Sequence, residues 1–112
     1  MQARPLMAIK IFGPAVFLLA VLAFAAAPKG DIVRGKVVFE NNCAECHQSD
    51  SKEETTGPGL QGLKEGKLPG GRKATHDQLL DIINTGPAEM TAFKDVLTEQ
   101  EKEDVVAFVM TL

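Results

Sequence analysis

The chain has 112 residues, with 12 basic and 15 acidic side chains (net charge −3), six Phe, and neither Trp nor Tyr. That length holds one domain and excludes a multidomain enzyme. The acidic balance argues against nucleic acid, which is bound by Lys and Arg neutralising phosphates.

Residues 1–27 differ from the rest. They carry Arg4 and Lys10, no acid, and an apolar run from Ile11 to Ala27 that ends in Ala23-Phe24-Ala25-Ala26-Ala27. A positive start, an apolar middle and a small-x-small end read as a secretory signal peptide, cleaved after Ala25 or Ala27. The rival reading is an uncleaved N-terminal anchor. The run is at the lower length limit for crossing a hydrocarbon core of about 30 Å, and Gly13-Pro14 interrupts it. Either way residues 28–112 are exported, because Arg4 and Lys10 favour the cytoplasmic side. The exported part is read as one domain, with ten bases against fifteen acids, net −5 over 85 residues. A domain close to this small often needs a disulfide, a metal or a bound group to hold it together.

Asp31 to Asn42 is predicted as the first helix. Ile32, Gly35, Val38 and Phe39 recur at three- and four-residue steps and so share a face. Gly35 is the odd member, costing about 1 kcal/mol relative to Ala inside a helix, which suggests close approach by another element. Ser49 to Gly71 holds six Gly and two Pro and reads as an extended loop. Thr75 to Asn84 is predicted as a short helix, with Thr75-x-x-Gln78 as a capping box and Leu79, Ile82 and Ile83 on one face. Thr85-Gly86-Pro87 ends it. Thr98 and Glu101 form a second capping box and open the last helix, where Val105, Phe108, Val109 and Leu112 share a face. Glu99, Glu101, Glu103 and Asp104 fall in its first turns, where acids suit the helix dipole. No segment alternates with period two. The expected fold class is all-α, with three main helices and long loops.

The centre of the sequence is Cys43-Ala44-Glu45-Cys46-His47. C-x-x-C-H is the attachment signature for c-type haem. On a helical turn Cys43 and Cys46 share a face, so two thioethers can hold the porphyrin edge, and His47 can present an imidazole nitrogen to the iron. A Cys43–Cys46 disulfide, a thioredoxin-like dithiol and a zinc site are the competing readings. The dithiol wants a βαβ context that is not found here. Zinc would need a second ligand pair, for which only His76 and carboxylates remain.

With these residues in view, the chain resembles the small class I c-type cytochromes of bacterial respiratory chains, from about Asp31 to Leu112. Besides the Cys43–His47 motif, the resemblance is carried by Gly35-Lys36-Val37-Val38-Phe39, Gly57-Pro58-Gly59-Leu60 and Met90-Thr91-Ala92-Phe93. It implies a cytochrome c-like fold wrapped around one covalently bound haem, with His47 and Met90 as the axial iron ligands. It also implies that the Pro58 carbonyl accepts the imidazole N–H, and that Gly35 and Phe39 mark the crossing of the first helix with Val105 and Phe108 of the last. Among rival distal ligands, Met110 is expected in the core and His76 in solvent, whereas Met90 sits in a loop that can reach a site framed by helices. The family usually has Pro after this Met; here it is Thr91, which makes the ligand loop less rigid. Leu60, Leu63 and Leu68 would cover the macrocycle. Arg72 or Lys73 could meet a propionate, although a solvated charge pair is the plainer reading.

A haem with both axial positions filled by protein suits one-electron transfer, and a thioether ligand raises its potential. The expected function is a periplasmic electron carrier, not an enzyme by itself, able to serve as a subunit of an oxidoreductase complex. The expected partners are redox proteins with a basic patch, steered by the charge of −5. The alternative is a haem sensor or peroxide-reactive protein in which Met90 leaves the iron.

Overall fold

The computed structural model describes residues 28–112. The expected leader, whether signal or anchor, lies outside the described residues. Three helices carry the fold: α1 (Ile32–Asn42), α2 (His76–Thr85) and α3 (Glu99–Val109), with a short 3-10 turn at Leu63–Glu65. No strand occurs among the described residues; Lys67 and Lys73 form only an isolated antiparallel bridge.

The helices begin where their caps dictate. The Asp31 carboxylate accepts from Arg34 N at 2.8 Å. At α3 the box is reciprocal: Thr98 Oγ1 accepts from Glu101 N at 3.1 Å, and Glu101 Oε2 from Thr98 N at 2.8 Å. At α2 the Thr75 hydroxyl accepts from Gln78 N at 3.2 Å, which is one half of a box. Each such cap satisfies an otherwise orphaned amide. Gly86 closes α2 in the left-handed region, at φ +57. A side chain there would be strained by the backbone and would also meet Ala92 N at 2.4 Å.

The organising contact is α1 across α3. A Cβ on Gly35 would stand 1.9 Å from the Asp104 carbonyl oxygen and 2.9 Å from Phe108 Cβ, so the two backbones meet here as only Gly allows. Around this crossing Val38, Phe39, Val105, Val106, Phe108 and Val109 are buried. The Phe39 and Phe108 rings lie tilted, with centroids 5.4 Å apart, a favourable aromatic geometry. Gly35 therefore faces Asp104 and Phe108, where Val105 and Phe108 were expected.

Three further placements depart from the sequence reading. Ile32 is 51% exposed and leaves the α1 core face to Gly35, Val38 and Phe39. Met110 is 38% exposed and falls after the end of α3, so it is not in the core. Asp104 is buried rather than serving the helix dipole from the surface. Its carboxylate accepts from Asp31 N at 2.8 Å, Arg34 Nε at 2.8 Å and Gln100 Nε2 at 2.9 Å. A buried carboxylate persists only with such partners, and Arg34, through its hydrogen bond, holds Asp104 below the usual carboxylate range.

Candidate functional site

α1 ends at Asn42, and the next four residues turn tightly. Cys43 N and Ala44 N both donate to Phe39 O, at 2.8 and 2.9 Å, and His47 N donates to Cys43 O at 2.9 Å. This turn delivers Cys43, Cys46 and His47 together to one cavity of about 620 Å³. The rest of its lining comes from distant parts of the chain. Phe39, Val105 and Val109 belong to the α1–α3 core; Leu60, Leu63 and Leu68 come from the long loop; Leu79, Ile82 and Ile83 come from α2; Met90 and Phe93 come from the loop before α3. Apolar walls with a few convergent polar or ligating atoms, in the range of about 300–1,000 Å³, describe a site for a cofactor-sized molecule.

His47 is held in one orientation. Its Nδ1 lies 2.8 Å from the Pro58 carbonyl oxygen. A carbonyl only accepts, so Nδ1 carries the hydrogen and the neutral ring keeps its lone pair on Nε2. The segment bearing Pro58 is itself pinned to the cysteine turn: Gly57 N donates to Cys46 O at 2.8 Å and Thr55 Oγ1 to the same oxygen at 3.1 Å. A Cβ on Gly57 would stand 2.7 Å from His47 Cε1. The imidazole thus packs against a backbone that has no side chain to give.

The two cysteines carry free thiols. Burial first, and then neighbouring Cys46, push the Cys43 thiol up to about 11. A redox-active dithiol needs a depressed value at its attacking sulfur, so this environment opposes the dithiol reading. No group of three or more His, Cys, Asp or Glu positioned for a metal ion occurs among the described residues.

Of the three distal candidates, Met90 alone lines the cavity of His47. His76 and Met110 line a separate cleft beside Pro28. There His76 Nε2 is 2.6 Å from Glu103 Oε2 and Nδ1 is 3.1 Å from Asp77 Oδ1, and Glu103 first, then Asp77, raise its pKa. Arg72 borders the cavity of His47 while Lys73 does not, and both are exposed. The sequence reading missed the steric role of Gly57 and the burial of Lys102 and Asp104. A signal for Lys102 was present: it precedes Val105, Val106 and Val109 at helical steps of three, four and seven, on the core stripe.

The donor set and the cavity fit a covalently held haem: two thiols on one turn, an oriented imidazole with Nε2 available, a thioether, and apolar walls. The comparisons agree. The family described as "Cytochrome C oxidase, cbb3-type, subunit III" matches residues 30–109. A "Cytochrome c6-like" protein of Nostoc sp. is 34% identical over 95 residues, covering 85% of this chain and 82% of that one. A "Cytochrome bc1 complex cytochrome c subunit" of Corynebacterium diphtheriae is 35% identical over 81 residues, covering 70% of this chain and 26% of that one. The solved structure of cytochrome c6 from the diatom Phaeodactylum tricornutum superposes with a TM-score of 0.55 at 29% identity, covering 73% of this chain and 93% of that one.

Proposed function

The chain belongs to the class I c-type cytochromes, monohaem electron carriers with one covalently bound haem c, and from that premise we propose that it carries single electrons outside the cytoplasmic membrane in a respiratory chain. Residues 28–112 form the cytochrome domain; residues 1–27 export it, as a cleaved signal or a retained anchor. Cys43 and Cys46 would anchor the haem through thioethers, and His47 and Met90 would hold its iron. One observation carries the reading: His47, oriented by Pro58, and Met90 line the same apolar cavity as both cysteines.

Bound there, haem c supplies a one-electron ferric/ferrous couple. The protein's own residues do the rest. Pro58 fixes the His47 tautomer and ring plane, the role expected of a partner behind a ligating imidazole. Met90 offers a soft sulfur, which favours the reduced state. Phe39, Leu63, Leu68, Leu79 and Phe93 exclude water from the site. With His47 and Met90 both holding the iron, small molecules would be kept from it, which suits a carrier rather than an enzyme.

The partners are redox proteins presenting a basic patch to this acidic domain, either as free carriers or within a larger oxidoreductase. Steering by net charge weakens as salt rises.

The test is expression with the c-type maturation machinery, followed by a pyridine haemochrome spectrum, which should show one covalent haem per chain. Persistence of only a Cys43–Cys46 disulfide would refute the reading. Met90→Ala should abolish the ferric iron–sulfur charge-transfer band. Rapid carbon monoxide binding by the reduced wild-type protein at neutral pH would instead favour a sensor with a labile Met.

A further inference from the structure

Lys102 is only 2% exposed, one of two charged residues buried in the described core. An ammonium is costly to remove from water unless its protons are placed on acceptors. Here all three acceptors come from different segments. Nζ donates to Asn84 Oδ1 at 3.0 Å near the end of α2, to the Lys94 carbonyl at 3.4 Å, and to Glu99 Oε1 at 2.5 Å in the first turn of α3. The chain between Asn84 and Glu99 is the loop that carries Met90. The ammonium therefore ties together the helix before that loop, the loop itself and the helix after it.

The end of the loop is anchored by buried Phe93 and Leu97 and by hydrogen bonds from Val96 N and Leu97 N to Phe93 O, both 3.1 Å; the stretch around Met90 is fastened less. Met90 N donates to Pro87 O at a long 3.2 Å, and Phe93 N to Ile83 O at 2.8 Å. Thr91 and Ala92 are exposed, and Ala88 sits in the left-handed region at φ +55, a conformation non-glycine residues hold only when the surroundings impose it. An apolar residue at position 102 would fill the same core position without restraining the loop. Of the pair with Glu99 only the ammonium is buried, the Glu99 side chain being 79% exposed; a buried charge held by placed acceptors is weak evidence for stability but well suited to fixing one arrangement over others.

We propose that Lys102 is a positioning residue for Met90: by gripping Asn84, Lys94 and Glu99 it sets how often the Met90 sulfur stands at the iron. This rests on Met90 being the distal ligand.

The experiment measures imidazole binding to ferric holoprotein at fixed pH, by the change in haem absorption. Imidazole must displace the sulfur, so its apparent affinity scales with the fraction of molecules in which the site is open. Lys102→Met should tighten imidazole binding about tenfold, the effect of losing a charge-assisted hydrogen-bond network on the closed state. Asn84→Ala, which removes one acceptor at a half-buried helix end, should tighten it by a smaller factor and serves if Lys102→Met does not fold. In a Met90→Ala background the site is already open, and neither substitution should change imidazole affinity. Unchanged affinity in the Met90-containing variants would overturn the proposal. So would an equal gain with and without Met90, which would mean that Lys102 acts on haem access by another route. If Met90→Ala retains the iron–sulfur band, the ligand assignment fails and the proposal falls with it. If the band is lost but Lys102→Met binds imidazole like wild type, the ligand stands and only the role of Lys102 is refuted.

Discussion

Gly35→Ala adds one methyl group at the α1–α3 crossing. In an isolated helix the change would stabilise by about 1 kcal/mol. In this structure the new Cβ would lie 1.9 Å from the Asp104 carbonyl oxygen, 2.5 Å from its carbon and 2.9 Å from Phe108 Cβ. The first two are backbone atoms of a packed helix and cannot rotate away. Restoring ordinary contact would push α1 and α3 apart by about 1.5 Å, and gaps of even 0.5–1 Å forfeit a quarter to a half of each dispersion contact across them. The Phe39–Phe108 pair and the buried Val38, Val105 and Val109 all depend on that spacing. Overpacking typically costs 1–3 kcal/mol, and a backbone clash lies at the upper end, so a net destabilisation of about 3 kcal/mol is expected. In a domain this small that lowers the melting temperature by on the order of 10–20 °C. The assay is thermal unfolding of ferric holoprotein by far-ultraviolet circular dichroism. A Gly35→Ala protein melting within about 2 °C of wild type, or above it, would show that helix propensity outweighs crowding and that the helices do not cross this closely.

Asp104→Ala removes a buried carboxylate and frees the Asp31 and Gln100 donors, which should cost about 3 kcal/mol in denaturant unfolding. Because Asp104 is held below its ordinary value of 3.8, chiefly by Arg34, its contribution is present above about pH 3.8 and fades as pH falls through the lower folded value; acid titration of stability should show the loss in wild type and not in Asp104→Ala. His76 behaves in the opposite sense. Its pKa is raised above 6.5, first by Glu103, so its contribution is full below about pH 6.5 and disappears as pH rises through the higher folded value. With the His76 side chain 48% exposed, the effect should be a few tenths of a kcal/mol and shrink with salt; Glu103→Gln should flatten it in pH-dependent melts, and an unaltered slope would refute the pairing. Gly57→Ala presses a methyl toward His47 Cε1 at 2.7 Å and should shift the proton resonances of the His47 ring in the haem-loaded protein while the helices stay intact. Identical spectra would show that the ring is not confined there.

Much of this protein is local in sequence. The helices start where Asp31, Thr75 and Thr98 can cap an amide and α2 stops at Gly86, because capping and left-handed geometry involve residues only a few positions apart. The Cys43–His47 motif was legible for the same reason: its spacing alone brings two thiols and an imidazole onto one turn. What the sequence left open depends on which distant atoms meet. Periodicity put Ile32 on the core face and Met110 was expected in the core, yet both are exposed. It marked Gly35 as anomalous, but only the packed helices identify the Asp104 backbone as its neighbour. Acids at the start of α3 looked like partners of the helix dipole; in three dimensions Asp104 joins α1 to α3, Glu103 meets His76, and Lys102 fastens the Met90 loop. Met90 is preferred over Met110 and His76 from its place in a loop and from the family resemblance; that it shares a cavity with His47 is a tertiary fact, since a linear pattern carries no information about a shared cavity. The chain itself determined the fold class, the helix limits and the attachment chemistry, while tertiary packing decided how charged residues are spent, because a buried charge is permitted only by partners that folding brings to it.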